Sequence, residues 1–213
     1  MKTVTIIGDV HSNTYDDQRA KYLNIINMCD SEYTIQLGDL GWPYDMLSPL
    51  DPSKHRVLAG NHDHYGIIAT GLWKHFLGDF GTFLDDIFFV RGGFSLNHRK
   101  LIPGIDWWPE EEISLSLHEY VLSAYRQAKP KIVISHECPL EVARIIGLPD
   151  KLRKWQYNPI TFTTKTQNLL QKMLETHQPE AWFFGHYHRS FSMVNYGTYF
   201  RCLNILETHY LQF

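Results

Sequence analysis

The chain reads as an α/β protein, and three observations carry that reading. Short apolar runs rich in β-branched and aromatic residues alternate with segments of helical periodicity. Five of those runs close on glycine or serine followed at once by a side chain able to bind a metal. In open α/β sheets, ligands gather beyond the carboxyl ends of such strands. Finally, 213 residues with 44% apolar and 20% charged side chains suit one globular domain with a substantial core.

Residues 4–8 form the first buried strand, which ends at Asp9 and His11. Over residues 17–29, Tyr22, Ile25, Ile26 and Cys29 share one helical face. A second strand at 33–37 leads through Gly38 to Asp39, and a loop rich in proline and aromatic residues covers 41–54. The third strand, 56–59, ends at Gly60, Asn61 and His62. Helical spacing is predicted over 64–77, and strand character at 87–90 and 94–96.

Residues 97–109 look irregular; helical spacing resumes over 110–127, where Glu110, Glu111 and Glu112 would complement the helix dipole. The fourth such strand, 131–135, ends at His136. A short helix at 140–146 and a longer one at 162–177 follow, the latter with Leu169, Leu170, Met173 and Leu174 inward. The fifth strand, 181–185, ends at His186 and His188. Antiparallel strands at 190–194, 198–203 and 207–211 complete the chain, the first two joined by a turn at 195–197. With no internal repeat or linker, residues 1–213 are expected to form a single domain.

Composition excludes several classes. A net charge of −3 offers no global basic field for nucleic acid. Three scattered cysteines without CxxC spacing argue for a reducing compartment rather than a disulfide framework. No run approaches the roughly 20 apolar residues needed to span a bilayer, and no signal peptide is legible. A cytoplasmic protein without membrane partners is the expectation; the sequence says nothing of oligomeric state.

The strand-end motifs are Asp9-Val10-His11, Gly38-Asp39, Gly60-Asn61-His62-Asp63, His136 and Gly185-His186-Tyr187-His188. Each alone is weak; their joint order is not. Carboxylate, imidazole and amide ligands without thiolate favour divalent Mn, Fe, Zn or Ni.

In these motifs the chain resembles the calcineurin-like metallophosphoesterase superfamily. The resemblance implies an α/β four-layer α-β-β-α sandwich of two mixed sheets, the metallophosphatase fold. It also implies two divalent metal ions, manganese foremost. Carried over by position, Asp9, His11, Asp39 and His188 match the ligands of one metal. Asp39, Asn61, His136 and His186 match those of the other, so Asp39 would bridge. His62 matches the catalytic histidine. The implied activity is hydrolysis of a phosphomonoester or phosphodiester, with a nucleotide-like substrate among the candidates, by a hydroxide activated between two metals, with His62 assisting the leaving group.

Asp63 could orient the His62 imidazole or cap the following helix. Asn13 could touch phosphate or simply form a turn, and Arg99 could grip phosphate or stay surface charge. The arginine that follows the bridging aspartate in protein phosphatases is absent, since Leu40, Gly41 and Trp42 stand there. Trp42, Pro43 and Tyr44 could instead wall a base or aryl group. The basic, aromatic stretch 151–157 reads as a solvated face more readily than as a single-strand binding surface. Two competing functions are a metal-dependent nuclease and a non-catalytic protein-interaction scaffold that keeps the fold.

Overall fold

Side chains alternate across each strand, and in this protein the alternation splits every central strand between two cores. The structure, a computed structural model, describes residues 1–13 and 17–213. Strands β1 (Thr3–Ile7), β2 (Tyr33–Gln36) and β3 (His55–Val57) run parallel in one sheet. The second sheet contains β4 (Phe80–Phe83), β5 (Ile87–Val90), β6 (Ile132–Ser135), β7 (Ala181–Phe184), β8 (Phe191–Asn195) and β9 (Thr198–Cys202), in the order β4-β5-β6-β7-β9-β8. Finally β10 (Thr208–Gln212) returns to the first sheet, antiparallel to β1.

Ile6 and Ile35 from the first sheet meet Phe89, Ile134 and Phe183 from the second in a core between the sheets. Their sequence neighbours point the other way. Ile7 packs outward against Tyr22 and Ile26 of helix α1 (Gln18–Met28). Beyond a single turn, α2 (Tyr65–Ile68), the remaining helices are α3 (His118–Ala128), α4 (Leu140–Ile146), α5 (Leu148–Lys154) and α6 (Lys165–Thr176). Phe88, Val133, Trp182 and Phe184 pack against these four, through Leu122, Val142, Leu152 and Leu170 among others. The layers are therefore helix, sheet, sheet, helix, as the resemblance implied.

Three local expectations fail for identifiable reasons. The helix predicted over 64–77 stops after one turn, with Gly71 at φ +66° beyond it. Residues 75–77 then run beside β3, where His75 O accepts from Val57 N and Leu77 N donates to Val57 O. No strand forms at 94–96. The helix expected from Glu110 begins only at His118, because the glutamates are committed elsewhere. Glu112 accepts the Thr166 N–H at 3.0 Å, so it complements the start of α6 instead. The β4–β5 hairpin went unread: its turn places Leu84 and Asp85 at positive φ without a glycine to signal it. Among the described residues, no helix is long and apolar enough to cross a membrane.

Candidate metal centre

All five motif loops leave the carboxyl ends of β1, β2, β3, β6 and β7, and the two sheets bring these ends together. His11, Asp39, His186 and His188 each adopt a left-handed φ between 53° and 64°. Four non-glycine residues in that region are costly, and such strain gathers at functional sites. Gly60 and Gly185 permit the approach of the carboxylates: a Cβ on Gly60 would strike Asp39 Oδ1, and one on Gly185 would strike Asp9 Oδ1.

Two groups of potential ligands result, sharing one residue. Asp9, His11, Asp39 and His188 form the first; Asp39, His136 and His186 form the second. In the first, His188 Nε2 lies 2.8 Å from His11 Nε2 and 3.1 Å from Asp9 Oδ2. In the second, His136 Nε2 lies 3.1 Å from Asn61 Oδ1, 3.2 Å from His186 Nδ1 and 3.4 Å from Asp39 Oδ2. Asn61 thus joins the second group.

The surroundings set which atoms face the centre. His136 Nδ1 sits 2.9 Å from Leu37 O, and a carbonyl only accepts, so Nδ1 carries the proton and Nε2 presents its lone pair inward. His186 turns Nε2 toward Glu137 Oε2 at 3.5 Å and Nδ1 toward His136. Asn61 donates its amide N–H to Ser95 Oγ at 3.0 Å, and Ser95 Oγ donates to Glu111 Oε2 at 2.7 Å. A hydroxyl whose proton is given to a carboxylate can only accept from the amide, so Asn61 Oδ1 must point to the centre.

Electrostatics agree with a site built for cations. Burial would lower the His136 pKa, yet the adjacent Asp39 carboxylate, with Asp9 behind it, holds it up to about 10. Burial lowers His11 and His186. Against its own burial, Asp39 is held well below the usual carboxylate range by His136, His62 and His11. Asp39 Oδ2 is buried and has no hydrogen-bond partner among the described residues.

His62 is exposed, its ring 5.6 Å from that of His11, and it lines an open cavity of ≈ 380 Å³ with Asn13, Trp42, His64 and Trp108. Asp63 lies elsewhere than expected. Its buried carboxylate accepts the Asp39 and Gly60 N–H groups on one oxygen, and the Gly41 N–H and Tyr44 hydroxyl on the other. It clamps the Asp39 and Asn61 loops together, and His64 caps α2 in its place. Burial, with Asp39 nearby, pushes Asp63 up to about 7. Tyr44 is buried in this clamp, which leaves Trp42 as the aromatic wall.

Arg99 lines a neighbouring groove over the Tyr157 ring, away from both cavities that reach the metal groups. The cations that do line the metal-facing cleft are Lys151 and Lys154. Ser95 and Glu137 escaped the sequence reading, which took Glu111 only as helix-dipole charge and Lys151 only as part of a solvated basic face. Only Glu137, directly after His136, carried a positional signal.

A family model described as calcineurin-like phosphoesterase matches residues 2–190. The solved phosphopantetheinyl hydrolase of Mycobacterium tuberculosis superposes with a TM-score of 0.57 at 13% identity, over 96% of this chain and 90% of that one. A Thermus thermophilus protein gives 0.52 at 11% identity, with the same 96% and 90% coverage. At such identities the likeness is one of fold. No curated protein sequence matches the chain.

Proposed function

This chain belongs to the calcineurin-like phosphoesterase family, a family of phosphoester hydrolases, and we propose that it acts through two divalent ions held by the paired ligand groups. Asp9, His11, Asp39 and His188 would hold one ion; Asp39, Asn61, His136 and His186 would hold the other. The observation that carries this reading is Asp39 Oδ2, which is buried and accepts no hydrogen bond among the described residues while lying 3.8 Å from His11 Nε2 and 3.4 Å from His136 Nε2. A carboxylate withdrawn from water in this way needs positive charge beside it. Divalent ions held by the two groups would supply that charge and would take up the inward lone pairs of the imidazoles. The ligand types suit manganese, with iron, zinc or nickel as alternatives.

Bound divalent ions supply Lewis-acid stabilisation of the phosphoryl oxygens and lower the pKa of a water. The chain's own residues do the rest. Asp63 holds the Asp39 and Asn61 loops in register. The Leu37 carbonyl fixes the His136 tautomer, and Glu137 sets the His186 ring. His62, on the exposed side, gives a proton to the departing oxygen, a step typically worth about 10²–10⁴-fold. Asn13 lines the same cavity and would contact the phosphate there. The three unpaired cysteines suit a cytoplasmic setting.

The deciding assay compares an aryl phosphate monoester with a bis-aryl diester in the presence of Mn, Ni, Zn or Mg. Hydrolysis of at least one, abolished by chelation, is expected. Metal-loaded protein that cleaves neither would overturn the reading and leave a protein-interaction scaffold in its place.

A further inference from the structure

The metal groups also open onto a second cleft, which shares His62 and His188 with the first cavity but adds lysines. Lys151 and Lys154 line it beside Asp39, His186 and His188. Leu96, Asn97, Lys154 and Trp155 also line the adjoining groove, which adds Arg99 and Lys100, so the two form one channel leading away from the metal groups. Four cationic side chains therefore face this channel in a chain of net charge −3, and Asp39 is the one carboxylate lining either part among the described residues.

The lysines are held there by construction. Leu148 and Leu152 bury one face of α5, which aims Lys151 into the cleft with its Nζ 5.1 Å from the Tyr187 ring centre. Lys100 lies over Trp155 at 4.8 Å. On the same helix, Arg153 pairs with Asp150 at 2.7 Å, yet Lys151, Lys154 and Lys100 form no ion pair among the described residues. Lys100 and Lys151, set on aromatic faces without a carboxylate at ion-pair distance, stay available to an incoming anion. The first cavity, which shares His62 and His188 with this cleft, offers aromatic faces from Trp42, His64 and Trp108.

We propose that the Lys151–Lys154 channel is a second anion subsite, so that the substrate is a phosphoester with a further phosphate beyond the scissile one and a planar ring system for the Trp42 cavity. The chemistry is that of a small nucleotide with two separated phosphates. The proposal rests on the phosphoesterase reading and narrows its substrate. An extended polynucleotide fits less well, because a chain of net charge −3 lacks the broad positive field that draws a strand in.

The test is calorimetric titration of manganese-loaded His62→Ala protein, which limits turnover, with 5′-AMP and adenosine 3′,5′-bisphosphate. The bisphosphate should bind about tenfold more tightly or better. Lys151→Met and Lys154→Met should each remove most of that preference, and Lys151→Arg should restore it. Lys154 is exposed, so its variant decides the matter even if Lys151→Met fails to fold. Equal affinity for the two ligands would overturn the subsite, as would equal weakening of both by the lysine variants. Tenfold tighter binding of an eight-nucleotide single strand than of the bisphosphate would replace it with a polynucleotide surface. Absence of aryl ester hydrolysis by wild-type protein refutes the phosphoesterase reading itself; aryl hydrolysis without a bisphosphate preference refutes the subsite alone.

Discussion

Removing the Ser95 hydroxyl tests whether a relay behind the centre decides how Asn61 meets a metal. The hydroxyl joins two buried partners, accepting from Asn61 Nδ2 at 3.0 Å and donating to Glu111 Oε2 at 2.7 Å. Ser95→Ala deletes both bonds and leaves Glu111 with the Ser95 N–H, which it accepts at 2.7 Å. A neutral bond contributes about 1 kcal/mol and one to a carboxylate about 1.5–3 kcal/mol, so folding stability should fall by roughly 2–4 kcal/mol. The effect on metal binding is separate. Without its acceptor, the Asn61 amide can rotate and present N–H instead of oxygen to the cation. Loss of such a supporting partner costs about 10–100-fold in metal affinity, or about 1.4–2.7 kcal/mol. Equilibrium dialysis at graded free manganese, followed by metal analysis, reads this directly. The site of His136 and His186 should weaken while that of His11 and His188 persists, giving one ion per chain where wild type holds two. Glu111→Gln should show a smaller shift, since its amide would compete with Asn61 for the same oxygen. Two ions bound with wild-type affinity by Ser95→Ala would refute the relay.

Further outcomes follow from the same geometry. His62→Ala should keep its metal content while kcat falls about 10²–10⁴-fold, and unchanged turnover would remove His62 from the reaction. Asp63→Asn puts an amide where four donors converge; urea denaturation should show a loss of about 2–4 kcal/mol, and an unshifted midpoint would disprove the clamp. Burial holds the Glu111 carboxyl up to about 7 from an ordinary 4.5, so the folded chain keeps a proton that the unfolded chain releases. The metal-free protein should therefore lose about 3 kcal/mol of stability from this group as pH rises from about 4.5 to 7. Denaturation across that range should show a shallower decline in Glu111→Gln; parallel curves would contradict the assignment.

Much of the architecture was readable because strands and helices advertise themselves by period. The runs at 4–8, 33–37, 131–135 and 181–185 all became strands, and the 140–146 helix matched to the residue. Misreadings came where long-range bonds overrode local preference. Residues 75–77 pair with β3, and Glu111 and Glu112 serve Ser95 and Thr166 rather than their own helix. Asp63 had two plausible local tasks and performs neither, since its partners lie 19 to 24 residues back in the chain as well as at Gly60.

Sequence alone determined the ligand types, their order and their delivery at strand ends, because those depend on residue identity and local period. Tertiary structure decided what each residue does once there. Only folding could strand Asp39 Oδ2 between two clusters of imidazoles, turn Asn61 by way of Ser95, and swing Lys151 rather than Arg99 into the metal-facing cleft. Each of these depends on contacts between segments far apart in the chain, and on burial that turns an ordinary polar atom into one that must find a partner.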